Sequence, residues 1–146
     1  MPITSVSPKV NTVGTILFVM MFVLSGFDKL RNTTKVATGL QNRLLKIPEL
    51  SNIRKGLTIE NCSYMIIVAA ILQLLSSYYL VNASVNYKSL KARKCAKHSA
   101  LAIMLFTIAA TYVYHWYPRG GSYYGFISNI STIGASIIIY YHYSNM

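Results

Sequence analysis

Long stretches without a charged side chain dominate the hydrophobic pattern of this chain. With histidine counted as neutral, four of them cover residues 10–27, 61–87, 98–118 and 120–146, with lengths of 18, 27, 21 and 27 residues. An α-helix needs about 20 mostly apolar residues to cross the roughly 30 Å hydrocarbon core of a bilayer. A helix of a soluble bundle would carry a charged face, and these stretches have none. The pattern therefore predicts an all-α protein, a transmembrane four-helix bundle.

These stretches organise the chain as one membrane domain between two short tails. We expect a tail over residues 1–10, a four-span domain over residues 11–143 and a tail over residues 144–146. The spans are expected at about residues 11–30, 60–83, 98–117 and 123–143. Because the number of spans is even, both termini are expected on the same side of the membrane.

The segment between the first two spans has a helical pattern of its own. Val36, Leu40 and Leu44 recur at helical spacing, whereas the basic residues of the segment lie off that line. Such a pattern is typical of an amphipathic helix on a membrane surface. We expect this helix over residues 33–47, because a residue directly before a proline, here Pro48, avoids helical geometry.

Composition and charge agree with a membrane protein. Hydrophobic residues make up 53% of the chain and charged residues 12%, against about 25% charged residues in a typical soluble domain. The net charge is +11, and the basic residues flank the apolar spans without aromatic residues interleaved on one helix face. This arrangement argues against nucleic acid and indicates contact with anionic lipid headgroups or acidic partners. The residues expected to make these contacts are Lys35, Arg43, Lys46, Lys88, Lys91, Arg93 and Lys94.

The sequence indicates where the membrane boundary lies but not which way the chain crosses it. Aromatic residues collect at membrane interfaces, and the expected interfacial anchors are Trp116, Tyr117, Tyr123 and Tyr124. Of the 14 basic residues, 8 fall on the side of the first and third loops and 6 on the other. The positive-inside rule needs a clearer bias, so the orientation and the membrane stay open. An organelle inner membrane and a viral internal membrane both fit.

Several short motifs resemble a known family. The segment Ser-Gly-Phe-Asp-Lys-Leu at residues 25–30 resembles the S-G-x-x-K-L signature of the DoxX family. The amphipathic stretch before Pro48 is similar to the segment that follows the first helix in that family. Residues 70–75 resemble the middle of its second helix, and Asn129 followed by Gly134 resembles its fourth helix.

The resemblance covers residues 12–140 and implies a compact four-helix membrane bundle with both termini commonly cytoplasmic. It also implies a loose link to quinone chemistry, since some members are subunits of thiosulfate:quinone oxidoreductase or of terminal quinol oxidases. Family members often carry glutamate where this chain has Gln73. That difference removes a protonatable carboxylate from the span and argues against quinone protonation here.

Four polar residues in or beside the spans each admit two interpretations. Gln73 and Asn129 are either helix-joining hydrogen-bonding groups, for which they would be natural partners, or ligand contacts. Asp28 and Lys29 are either an interfacial anchor, with the lysine reaching to the headgroups, or the polar mouth of a ligand site. In each case helix packing or anchoring is the simpler interpretation.

The sequence offers little material for catalysis. It contains no nucleophile elbow, no paired carboxylates and only three acidic residues. His115 is expected to be an interfacial hydrogen-bonding residue, no metal site is expected, and Cys62 and Cys95 are expected to be free thiols. The sequence therefore predicts a non-catalytic accessory or structural component of a larger membrane assembly, such as a respiratory complex or a virion inner membrane. It would contact lipids and other membrane proteins and need no cofactor. The alternative is a quinone-binding redox subunit, with quinone as its ligand.

Overall fold

The computed structural model describes residues 8–116 and 121–145, which are helical apart from short connections. The five α-helices are α1 (Pro8–Arg31), α2 (Thr33–Leu44), α3 (Ile59–Val85), α4 (Leu90–Ala110) and α5 (Tyr123–Ser144). A 3₁₀ segment, Pro48–Gly56, links α2 to α3, and a π-helical segment, Thr111–His115, continues α4. The all-α prediction is confirmed for the described residues.

Three helical segments are long and apolar enough to cross a membrane: Thr12–Arg31, Ile59–Val85 and Leu90–His115. The chain is therefore a multi-pass membrane protein. The fourth predicted span corresponds to α5, which has 22 residues but does not join this group. Its tyrosines, serines and Asn129 lower its mean hydropathy.

The first and third helices pack antiparallel along their length. Near one end, Thr12 Oγ1 donates a hydrogen bond of 3.2 Å to the carbonyl oxygen of Ser84. Near the other end Gly26 lies on α3, where a Cβ atom at this position would stand 3.0 Å from Leu74 Cγ and 3.4 Å from the Ala70 carbonyl oxygen. The missing side chain lets the two backbones approach closely, as small residues commonly do between membrane helices.

The fourth helix begins at Leu90 rather than at His98, so part of the predicted basic loop is helical. The Ser89 side chain caps its start by accepting a 3.3 Å hydrogen bond from the amide of Ala92. Ala92, Ala96 and Ala100, spaced four residues apart, are buried in the main core. The helix can extend into the basic segment because these alanines pack in the core while lysines of the segment, such as Lys91 and Lys94, face outward.

The order of packing is α1 on α3, α3 on α4 and α4 on α5, whereas α1 and α5 make only sparse contact. Helices α4 and α5 are antiparallel: Gly125 packs against His115, and the Lys97 ammonium lies 5.2 Å from the centre of the Tyr140 ring. The two outer helices, α1 and α5, are therefore joined mainly through α3 and α4, although side chains of both, such as Val19 and Tyr143, reach the main core.

The predicted amphipathic segment forms α2, which ends at Leu44. Ala37, Leu40 and Leu44 are buried, and they share a second core with residues of α3 such as Cys62. The apolar side of α2 therefore covers one end of the bundle. Its angle to the membrane plane stays a prediction.

Candidate intramembrane ligand site

A half-open cavity of about 600 Å³ lies among the helices, and all five of them contribute lining residues. This volume falls within the range of roughly 300–1,000 Å³ found for small-molecule sites. The lining residues of α1 and α3 fall toward the end of the bundle where α1 finishes and α3 begins. Its wall is mainly apolar and includes Met21, Phe22, Leu40, Ile66, Ala69 and Phe106.

All four polar residues singled out from the sequence line this cavity, namely Asp28, Lys29, Gln73 and Asn129. They come from three different helices and meet only through the fold. Each had a packing interpretation and a ligand interpretation, and their position in one cavity wall is the arrangement that the ligand interpretation requires.

The Lys29 side chain turns away from the nearer membrane boundary. Its Nζ donates to the hydroxyl of Ser25, one turn earlier in α1, and lies 5.7 Å from the centre of the Phe106 ring. Side chains on a helix point toward its N-terminus, which for α1 is toward the bilayer interior. Lys29 therefore does not reach to the headgroups, as sequence alone suggested, but places its ammonium in the cavity wall.

Asp28 points its carboxylate the opposite way along α1. Its Oδ1 accepts a 2.7 Å hydrogen bond from Asn32 Nδ2, one turn toward the end of the helix, and the residue is exposed. Among the described residues no carboxylate forms a salt bridge with Lys29. The cavity lining thus holds a half-buried ammonium and, beside it in the chain, a carboxylate that is hydrogen-bonded to Asn32.

Gln73 is buried, and it lies at the same depth in the bundle as Ser25. This register follows from the neighbouring Gly26, which packs against Ala70 and Leu74 of α3. Only 2% of its surface is exposed, and its Oε1 is buried without a hydrogen-bond partner among the described residues. Burying an amide group that lacks a partner costs about 1–3 kcal/mol. The amide oxygen therefore lies in the wall without a hydrogen bond from the described residues to offset this cost.

Gln73 and Asn129 do not bond to each other, contrary to the pairing that sequence suggested. Asn129 follows Gly125 by one turn and lies toward the end of the bundle where His115 is found. Gln73 lies deeper, opposite Ser25. The helix register separates the two amides, and Asn129 is half-buried.

The π-helical segment Thr111–His115 brings two further polar side chains into the cavity wall, Tyr114 and His115. The Tyr114 hydroxyl and His115 Nδ1 are buried without partners among the described residues, and the imidazole packs against Gly125. Insertions of this kind in α-helices often mark functional sites. Arg43 joins α2 to this segment, since its Nη1 donates a 3.1 Å hydrogen bond to the Tyr114 carbonyl oxygen.

The predicted interface anchors and lipid contacts that the structure describes lie outside the cavity. Trp116, Tyr123 and Tyr124 are exposed around the connection between α4 and α5, whereas Tyr117 lies outside the described residues. The predicted lipid contacts are exposed apart from Arg93, which is half-buried. They fall on α2 and the turn after it, and around the start of α4.

Sequence reasoning missed the hydroxyl of Ser25, the aromatic ring of Phe106 and the cavity-facing role of Tyr114. Ser25 and Lys29 are four residues apart in α1, a spacing that places them on one helix face and could have signalled their contact. The π-helical turn has no comparable sequence signal.

Cys62 and Cys95 are free thiols. Within residues 8–116 and 121–145, no three histidine, cysteine, aspartate or glutamate side chains converge on a point where a metal could bind. Comparisons with protein-family models, with curated proteins and with solved structures found no match.

Proposed function

We propose that this chain is a four-span, DoxX-like, non-catalytic membrane protein that binds a lipid-soluble amphiphile in the cavity between α1 and α5. In this proposal it works as an accessory component of a larger membrane assembly, in contact with anionic lipids and other membrane proteins. The outward-facing basic residues at both ends of the bundle suit such contacts.

The observation that carries the proposal is the buried amide oxygen of Gln73, which has no hydrogen-bond partner among the described residues and lies in the wall of a mainly apolar cavity. Hydrocarbon offers no water to satisfy a polar group, so such groups are costly inside a membrane. Polar residues that persist there usually face a cavity and take part in binding or transport. A ligand with a hydrogen-bond donor on its polar head and with an apolar body would satisfy the amide oxygen and fill the cavity.

The proposal of a fourth span rests on the packing of α5 against α4. Helix α5 contacts α4 near both ends, through Gly125 with His115 and Tyr140 with Lys97. The two helices therefore extend over the same depth. A helix of 22 residues is about 33 Å long, which matches the hydrocarbon thickness. If α4 crosses the membrane, α5 crosses it as well.

A quinone is the second candidate ligand. The Tyr114 hydroxyl is a buried donor without a partner among the described residues, and it could donate to a quinone carbonyl. However, this chain has Gln73 in the span where the resemblance leads us to expect a protonatable glutamate. The purified chain is therefore expected to show no quinone reduction with thiosulfate or sulfide as electron donor.

The experiment is to identify what co-purifies with the protein. The full chain is expressed in a membrane host and purified in mild detergent, and native mass spectrometry followed by lipid extraction measures any bound small molecule. Ala69→Phe fills the cavity, whereas the neighbouring Val68→Phe adds the same side chain on an outward face that is 62% exposed.

We expect a near-stoichiometric amphiphile in the wild type and in Val68→Phe, and its loss in Ala69→Phe. Equal amounts in all three proteins, or none in any folded sample, would contradict the proposal. An extracted quinone would favour the second candidate ligand.

A further inference from the structure

The unmet hydrogen-bonding group in the cavity lining is an acceptor. Gln73 lines the cavity, and its Oε1 has no hydrogen-bond donor among the described residues. An amide oxygen accepts hydrogen bonds and does not donate them. The terminal torsion of a glutamine side chain is broad, so the amide can turn this oxygen toward a donor in the cavity. The site therefore favours a ligand that donates a hydrogen bond.

The two charged side chains of the lining already have partners in the protein. Lys29 Nζ donates to the Ser25 hydroxyl and, at 3.4 Å, to the Ser25 carbonyl oxygen, and it lies near the Phe106 ring. An ammonium has three donors, so these contacts use most of its capacity. The Asp28 carboxylate accepts a hydrogen bond from Asn32. With one positive and one negative side chain and histidine counted as neutral, the lining requires no net charge on a ligand.

The possible head groups of a ligand differ in how well they meet these conditions. Carboxylates, esters and quinones carry oxygens that only accept, so they leave the Gln73 oxygen unsatisfied. A protonated amine donates, but the Lys29 ammonium lies at the depth of Gln73, and two like charges repel strongly in a low-dielectric setting. An alcohol hydroxyl donates a hydrogen bond and brings no charge.

We propose that the ligand is an uncharged amphiphile with an alcohol head, of the class of long-chain alcohols and monoacylglycerols, whose hydroxyl donates to the amide oxygen of Gln73. This inference rests on the proposed function and specifies its ligand. The apolar chain lies along the mainly apolar lining, which includes Phe22, Ile66 and Phe106.

Selectivity comes from the head of such a ligand and not from its chain. An alkyl chain in the bilayer is already in an apolar medium, since lipid tails are as apolar as leucine. Burying the chain in the cavity therefore gains little, and the hydrogen bond of the head decides which amphiphile binds. A methyl ether with the same chain is also uncharged but has no donor, so it isolates the contribution of the hydroxyl proton.

The test measures the binding of four ligands to the full-length protein in nanodiscs by native mass spectrometry, at equal mole fractions of ligand in the bilayer. The ligands are oleyl alcohol, its methyl ether, oleate and decylubiquinone. Gln73→Leu removes the acceptor in the cavity. Asn52→Leu is the matched control, because it removes an exposed side-chain amide outside the cavity.

We expect oleyl alcohol to bind about 3- to 10-fold more tightly than its methyl ether, the range that one uncharged hydrogen bond provides, and more tightly than oleate or decylubiquinone. Gln73→Leu should bring the alcohol to the level of the ether, whereas Asn52→Leu should keep the preference. If Gln73→Leu does not fold, the ratio of alcohol to ether binding in the wild type and in Asn52→Leu decides.

Equal binding of alcohol and ether would overturn the alcohol inference and leave the proposed function standing. Tighter binding of oleate or decylubiquinone, or an alcohol preference that survives Gln73→Leu, would have the same consequence. Failure of all four ligands to bind to folded protein would overturn both.

Discussion

Lys29 and Ser25 are joined by a hydrogen bond that draws the lysine ammonium one helical turn into the bundle. A lysine two residues from the end of a membrane helix would ordinarily extend its side chain to the headgroups. Here the ammonium lies beside the Phe106 ring in the wall of an apolar cavity. The direction of this one side chain places Lys29 in the cavity lining instead of at the membrane boundary.

The two glutamines of the bundle should respond differently to replacement by leucine. Gln73 has a buried amide oxygen without a partner among the described residues, so Gln73→Leu removes the cost of burying that oxygen and should raise the free energy of unfolding by about 1–3 kcal/mol at most. Gln41 Nε2 donates a 2.6 Å hydrogen bond to the Leu57 carbonyl oxygen, and Gln41→Leu should cost about 1 kcal/mol or more. Unfolding in detergent measures both. A Gln73→Leu protein that fails to accumulate in membranes would show that Gln73 supports the fold.

The contact of α1 with α3 should be sensitive at Gly26. Gly26→Val drives a branched side chain into Leu74 and the Ala70 carbonyl, and overpacking of this kind costs about 1–3 kcal/mol. At the helical position Gly134 a Cβ would meet no described atom within 4 Å. Gly134→Ala should therefore be neutral or stabilise the protein by about 0.5–1 kcal/mol. The same unfolding assay compares them, and equal effects would contradict the close packing at Gly26.

Cysteine labelling tests the amphipathic character of α2. In a background without the native cysteines, Lys35→Cys should react quickly with a water-soluble maleimide because Lys35 is exposed. Ala37→Cys and Leu40→Cys should react slowly, since both positions are buried in the second core. Uniform rates along residues 33–47 would indicate a disordered loop.

The fourth span can be tested by the side on which engineered cysteines react in sealed vesicles. Asn52→Cys and Ser122→Cys should label from one side of the membrane, and Asn86→Cys and Asn145→Cys from the other. The decisive comparison is Ser122 with Asn145, because they flank α5. Labelling of these two from the same side would mean that α5 does not cross the bilayer.

Sequence alone was enough to predict the helices because hydrophobic length is a direct consequence of bilayer thickness. The spacing of Val36, Leu40 and Leu44 likewise predicted α2. The boundary at Leu90 was missed because a run of lysines was interpreted as a loop, whereas the line of Ala92, Ala96 and Ala100 keeps it helical. Charge content describes where a segment meets water and does not decide whether it is helical.

The candidate site was predictable as a set of residues but not as an arrangement. Asp28, Lys29, Gln73 and Asn129 stand out because polar groups are rare in these spans. Their depth depends on the register between helices, which Gly26 sets for α1 and α3. Short polar motifs in the sequence do not specify that register. The partnership of Gln73 with Asn129 was therefore wrong, and that of Lys29 with Ser25 went unrecognised.

The measurement that tests the central claim most directly is photo-crosslinking with a long-chain alcohol that carries a diazirine in its chain, mapped by mass spectrometry on the full-length protein in nanodiscs. If the cavity binds an amphiphile, the label should concentrate on inward-facing wall residues such as Phe22, Ile66 and Phe106, and excess oleyl alcohol should compete it away. Label confined to outward-facing residues such as Val68 and Ile138, which are 62% and 71% exposed, and insensitive to competitor, would contradict the existence of an intramembrane ligand site.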